Sequence, residues 1–355
     1  MSATGVFVGL LILIFVMFDV LVTTLTTNGA GSISGRLSYG LWWIALRIHR
    51  RHSNHRLLTV TGWIILMGTP LVWICLAWIG WAILFCGGDT AVVNSESDLP
   101  ASIWERIYFT GYTLSTLGVG DYQAQGAIWQ LATALASANG FFLFTLAIAY
   151  LLPVIAAVVL KRQIALYISA LGGTPDDLLN RAWNGKDFGQ LSQHLIVLTP
   201  MLTGMVESYL AYPILNYVHT PEGSKSFVLS VVTLDEALTL LYYGVEKSCR
   251  PDKAALNPLR RASSAFLKTL KSAYVEPASE NPTLPPLALL RDQGIPVVSD
   301  QEFLEATKHF ILRRKLLLAL VKHDGWNWDS VSSTATTNRA SSLDDETAIE
   351  KPELN

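Results

Sequence analysis

Tyr108-Phe109-Thr110-Gly111-Tyr112-Thr113-Leu114-Ser115-Thr116-Leu117-Gly118-Val119-Gly120-Asp121 is the stretch whose reading decides the fold. It continues a mostly apolar segment, Ile103 to Leu117, that is too short to cross a hydrocarbon core, which takes about 20 residues of helix. It ends in two glycines one residue apart. Glycine reaches backbone conformations closed to other residues, so Thr116 to Asp121 reads as irregular, tightly turned backbone after a half-span. At membrane depth such backbone survives only where protein buries it or it lines a wet cavity. An ordinary glycine turn between two hydrophobic helices is the competing reading, and the flanking sequence weighs against it.

Working outward, three apolar stretches are long enough to span: about Val6 to Leu25, Leu58 to Phe85 and Ile128 to Leu160. The first is no cleaved secretion signal, because Met1 to Gly5 lacks a basic residue. Hydrophobic residues make up 51% of the chain and charged residues 15%, against roughly 25% charged in an ordinary soluble domain. The charge is nearly balanced, 26 basic against 28 acidic, so no nucleic-acid partner is indicated. Cys75, Cys86 and Cys249 fit neither a metal spacing nor a disulfide framework.

Charge orients the spans. Arg36, Arg47, Arg50, Arg51 and Arg56 fill the link after the first span, Lys161 and Arg162 close the third, and Asp89, Glu96 and Asp98 mark the loop after the second. Basic loops stay on the cytoplasmic side, which puts the N-terminus outside and everything beyond Lys161 inside the cell membrane. In the arginine-rich link, Leu37, Leu41, Ile44 and Ile48 form one helical stripe. Either this helix lies on the inner leaflet of the bilayer, or it packs on the cytosolic part.

The order span, half-span, Thr-x-Gly-x-Gly-Asp, span resembles the pore of potassium channels over roughly Leu58 to Arg162. The resemblance implies an all-α integral membrane protein that assembles as a homotetramer, one loop from each chain. In it, stacked rings of carbonyls from Thr116, Leu117, Gly118, Val119 and Gly120 replace the hydration shell of permeant potassium. Thr116 adds its hydroxyl as the innermost ligand. No cofactor is implied. Asp121 sits at the outer end, to attract cations or tie the strand to the pore helix, either through the Tyr112 hydroxyl or through another residue of that helix. Val119 departs from the family's aromatic residue between the glycines, and Leu117 from its valine or isoleucine. Weak selectivity among monovalent cations is therefore the alternative to potassium selectivity. Gly140 falls where the family's inner helices hinge, and close helix packing is the other reading of it. Pro153 is expected to bend the inner helix near its inner mouth, as a gating element. Phe144 and Ile148, four apart, read as lipid or helix contacts, with an apolar constriction facing the cavity as the alternative. Asp19, the ionisable residue of the first span, is expected to pair with an arginine beyond Asn28, with a sensor role as the alternative.

The expected organisation is an N-terminal transmembrane helix over 1–27, an amphipathic link over 28–57 and a pore domain over 58–162. Within the pore domain the outer helix covers 58–86, the pore helix 101–115, the filter 116–121 and the inner helix 128–160. A helical cytosolic domain then covers 163–329 and a disordered tail 330–355. Cytosolic helices are expected at about 176–183, 189–218, 226–246, 262–274 and 301–323, the second broken or kinked at Pro200 and Pro213. The absence of Gly-x-Gly-x-x-Gly excludes the nucleotide-binding regulatory domain, and missing His-Glu-x-x-His, Gly-x-Ser-x-Gly and Walker motifs weigh against a membrane-anchored enzyme. An unidentified cytosolic ligand or partner is expected to act on this domain.

Overall fold

The structure is a computed structural model and describes residues 3–26, 31–272 and 275–332. The chain divides into two compact units. One comprises Met1–Leu41 with Trp63–Ile155, the other Trp42–Gly62 with Ala156–Asn355. Most of the described residues are helical. The helices of the first unit are α1 (Ala3–Leu25), the first half of α2 (Ser32–His52), most of α3 (His55–Cys86), α4 (Ile103–Leu114) and the first part of α5 (Ala127–Leu171). Two short strands, β1 (Val92–Asn94) and β2 (Tyr122–Ala124), pair antiparallel around α4, with Asn94 opposite Tyr122.

Small residues let α1 approach α3. A Cβ on Gly9 would lie 2.7 Å from the Gly80 carbonyl, and one on Gly80 would lie 3.0 Å from Leu13, the close approach that small residues permit in membrane helices. Asp19 does not pair with an arginine. Its carboxylate receives the backbone N–H of Ile33 at 2.7 Å, the Ser34 hydroxyl at 2.5 Å and the Trp73 indole N–H at 3.0 Å. A carboxylate favours a helix N-terminus because the first amides there have no intrahelical partner. Asp19 therefore caps α2 rather than neutralising the basic link.

The second unit is built on the continuation of α5, followed by α6 (Pro175–Ala182), α7 (Leu191–Ala211), α8 (Phe227–Thr239), α9 (Lys253–Ser272), α10 (Ala288–Arg291), α11 (Asp300–Thr307) and α12 (Ile311–His323). Thr174 caps α6 with its hydroxyl on the Asp177 amide, and Pro175 occupies the first helical position, as expected. α7 packs on α9 through Tyr209 and Phe266, ring centroids 5.2 Å apart. Together with the helical turn Leu240–Gly244 that continues it, α8 qualifies as a fourth membrane span by length and composition, yet 89% of this apolar window is buried within the protein. It also carries two carboxylates. Asp235 is bound by Arg313, Arg260 and Ser263. Glu236 is held by both arms of the Arg314 guanidinium at 2.9 and 2.8 Å. Burial alone would raise the Asp235 carboxyl, but the Arg260 and Arg313 guanidiniums outweigh it and hold it at about 2. We read α8 as the core helix of this unit.

Several boundaries differ from expectation. The inner helix does not stop near 160 but runs to Leu171, because its buried stripe (Val154, Ala157, Lys161, Ile164, Ile168) continues at spacings of three and four. Pro200 sits inside an uninterrupted α7, whereas Pro213 ends it and opens a 3₁₀ turn, Pro213–Tyr217. α9 begins at Lys253, nine residues before the expected start, with Pro258 inside its first two turns. Trp328–Ser330 forms a turn and Val331 is buried, so order persists past the expected start of the tail. The remainder of that tail, from 333, and Tyr274 lie outside the described residues. The expected stripe of α2 is half-buried at Leu37 and Leu41 and open toward its C-terminal end. Ile44 and Ile48 are exposed beside Trp43, while Trp42, Ala45 and His49 are buried.

Candidate functional site

α4 ends at Leu114, and the chain turns at once into the extended segment 116–121. Its start is pinned by the Thr116 and Leu117 amides, which donate to the carbonyls of Thr113 (3.1 Å) and Tyr112 (2.9 Å). Thr116, Gly118 and Gly120 then have φ of +60°, +60° and +89°, while Leu117 and Val119 stay at negative φ. Alternating left- and right-handed residues cancel the pleat of an ordinary strand and turn successive carbonyls to one side. Nothing lies within 4 Å of a Cβ placed on Gly118 or Gly120. Backbone conformation, not lack of room within the chain, therefore demands glycine there. Thr116 adopts the same left-handed region with a side chain, at a cost of roughly 1–2 kcal/mol. Leu117 is 72% exposed and Val119 49% exposed.

The outer end of this segment is held from two directions. Tyr112 brackets it, its carbonyl receiving the Leu117 amide and its hydroxyl donating to the Tyr122 carbonyl at 2.8 Å. The hydroxyl thus goes to the Tyr122 carbonyl, because β2 brings the Tyr122 backbone over α4, and the Asp121 carboxylate lies close to the same hydroxyl. Asp121 Oδ1 is buried without a hydrogen-bond partner among the described residues. From the other side Ser95 grips the segment, its amide on the Asp121 carbonyl (3.0 Å) and its hydroxyl on the Gly120 carbonyl (2.7 Å). Ser95 engages the Gly120 carbonyl, whereas the carbonyls of Thr116 to Val119 accept no hydrogen bond among the described residues.

Sequence reading missed the groups that fix the pore helix. Ser102 and Glu105 form a reciprocal cap at its start, and the other Glu105 oxygen takes the Tyr122 hydroxyl at 2.7 Å. Arg106 is buried and its guanidinium donates to four carbonyls: Ala101 (2.9 Å), Phe85 (3.0 Å), Gly88 (2.6 Å) and Asp89 (2.6 Å). A single arginine thus ties the pore helix to the end of α3. Ser102-x-x-Glu105 before an apolar run was a legible signal, and so was an arginine inside an otherwise apolar half-span.

Gly140 lies directly against the end of α4. A Cβ there would be 2.0 Å from the Leu114 carbonyl oxygen. Close packing accounts for this glycine, and α5 is continuous through both Gly140 and Pro153. Phe144 and Ile148 are exposed on α5, away from the packed face of Leu143, Ala147 and Tyr150.

Residues 68–157 match a sequence family described as ion channel. Over 329 residues the chain is 34% identical to the uncharacterized membrane protein YdjJ of Bacillus subtilis (strain 168), covering 92% of this chain and 96% of the relative. The chain belongs to the YdjJ family. No solved structure matches it. It is a membrane protein with an ion-channel domain, and the segment described above lies within the matched region.

Proposed function

We propose that this chain is one subunit of a homotetrameric channel that conducts potassium passively across the cell membrane, with residues 116–120 as its selectivity filter. The observation that carries the reading is the alternation of φ at Thr116, Gly118 and Gly120 in an exposed strand held at both ends. One chain presents one column of carbonyls, and four columns around an axis make the rings that replace a hydration shell. Potassium is the permeant ion, coordinated by Thr116 to Val119 and bordered outside by Asp121. Selectivity over sodium relies on the hold that Tyr112 and Ser95 exert, since Val119 provides no aromatic ring behind the strand.

The N-terminus lies outside and the second unit in the cytoplasm. The exposed face of α2 sits in the inner leaflet, where Arg47 lies over the Trp43 ring at 5.5 Å. The second unit gates the pore through the continuous helix α5, with Pro153 as the bending point, in response to a ligand that binds its two states differently. Flux from liposomes containing the purified tetramer tests the filter. Gly118→Ala is expected to abolish potassium flux with the tetramer intact, and unchanged flux overturns the assignment.

A further inference from the structure

From Trp42 to its end at His52, α2 belongs to the second unit and has two faces. Trp42, Ala45, Leu46 and His49 are buried, at the spacing of one helical stripe. Two of them fasten the helix to the chain around the end of α12. The Trp42 indole donates to the His323 carbonyl at 3.3 Å, and His49 Nε2 lies 3.0 Å from the Gly325 carbonyl. The Trp42 ring also packs on Tyr217, centroids 5.8 Å apart. The opposite face carries two rows, each stepping by four and then by three positions: Trp43, Arg47, Arg50 and Ile44, Ile48, Arg51. All six side chains are exposed.

Their charge is not balanced within the chain. No aspartate or glutamate occurs between Asp19 and Asp89. Among the described residues no carboxylate pairs with Arg47, Arg50 or Arg51. Arg47 lies over the Trp43 ring, 5.5 Å from its centroid, which keeps its guanidinium beside the apolar row.

The face therefore asks for two things at once, an apolar cover for Trp43, Ile44 and Ile48 and negative charge for three guanidiniums. A leaflet that contains anionic phospholipid supplies both. Its phosphate oxygens match the planar donor fork of arginine, and an indole settles at head-group level. A purely zwitterionic leaflet covers the apolar residues, but its phosphates are already balanced by the cationic part of each head group. A soluble polyanion meets the arginines and leaves the isoleucines in water. Chain connectivity supplies the proximity. α1 ends at Leu25 and α3 begins at His55, and both are long and apolar enough to cross a membrane, so α2 is leashed between two spans.

We infer that Trp43, Ile44, Arg47, Ile48, Arg50 and Arg51 form a docking surface for anionic phospholipid head groups, which holds the second unit against the membrane through the bonds of Trp42 and His49. This rests on the placement of α2 in the inner leaflet, not on conduction, and adds the class of lipid that the helix selects. The test uses full-length protein in phosphatidylcholine vesicles that hold a small, fixed fraction of brominated lipid, either phosphatidylglycerol or phosphatidylcholine. Bromine quenches a tryptophan that it touches. Quenching of Trp43, taken as wild type minus Trp43→Phe, is expected from both lipids and is expected to be stronger from the phosphatidylglycerol. An arginine beside an anionic surface strengthens the attraction about fivefold. Arg47→Gln is therefore expected to raise the anionic fraction needed for half-maximal quenching by about that factor. Replacing Arg47, Arg50 and Arg51 together by glutamine is expected to remove the preference. The same loss is expected for the unaltered protein in about 1 M salt, where charges are screened beyond about 3 Å. Equal quenching by the two lipids, or a preference that survives the triple variant or the salt, overturns the anionic docking surface while α2 stays in the leaflet. Absence of quenching by either lipid overturns the leaflet placement and the inference with it, and assigns this face to a second copy of the chain or a soluble partner.

Discussion

Gly140→Ala separates packing from hinge at the middle of α5. The added Cβ would lie 2.0 Å from the Leu114 oxygen and 2.7 Å from its carbonyl carbon. Ordinary contact is about 3.5 Å, so the carbonyl has to retreat by roughly 1.5 Å. The obstacle is backbone rather than the tip of a side chain, and it is the last residue of α4, two before Thr116. Overpacking typically costs about 1–3 kcal/mol, and a rigid obstacle puts this case near 3 kcal/mol per chain. Thermal unfolding of the detergent-solubilised protein is therefore expected to shift down by several degrees. Potassium flux is expected to fall too, because the displaced carbonyl lies at the base of the filter. A hinge makes the opposite forecast: unchanged stability, unchanged maximal conductance and altered open probability. That pattern in Gly140→Ala would refute the packing argument.

Arg106→Lys keeps the charge but offers three donors where four carbonyls are now bonded, and is expected to cost about 1–3 kcal/mol, measured as a lower melting temperature with loss of tetramer on native gels. Asp235→Asn leaves two half-buried guanidiniums facing a neutral amide in a buried site, and a cost of about 3 kcal/mol is expected. Asp235 is held low, so its contribution is present above the ordinary carboxyl value of about 3.9 and is lost only as pH falls toward 2. Denaturant unfolding at pH 5 and 7 should accordingly show the same deficit in Asp235→Asn. A deficit present at only one of these values contradicts the ion-pair account.

The short helix and its glycine-turned exit were legible because their determinants are local. The half-span, the glycine spacing and the flanking apolar runs are properties of consecutive residues, and the φ values at Gly118 and Gly120 follow from them. What escaped were contacts between residues far apart in sequence. Asp19 sits among apolar neighbours, and nothing there announces that the N-terminus of α2 will be folded onto it. The bond from the Tyr112 hydroxyl to the Tyr122 carbonyl was not legible either, since Tyr122 reaches it only once β1 and β2 pair. The end of the inner helix was misplaced for a different reason. Lys161-Arg162 reads as a membrane boundary, yet helix and boundary need not coincide, and Lys161 is buried by the protein that continues the helix. α8 shows the converse: its apolarity reflects a protein interior, which hydropathy alone does not distinguish from lipid.

The account is tested most directly by recording purified protein in planar bilayers with potassium on one side and sodium on the other. It predicts a current whose reversal potential lies close to that set by potassium alone, and its disappearance in Gly118→Ala. A reversal potential near zero with balanced concentrations, or no current from intact tetramers under any condition, would contradict it.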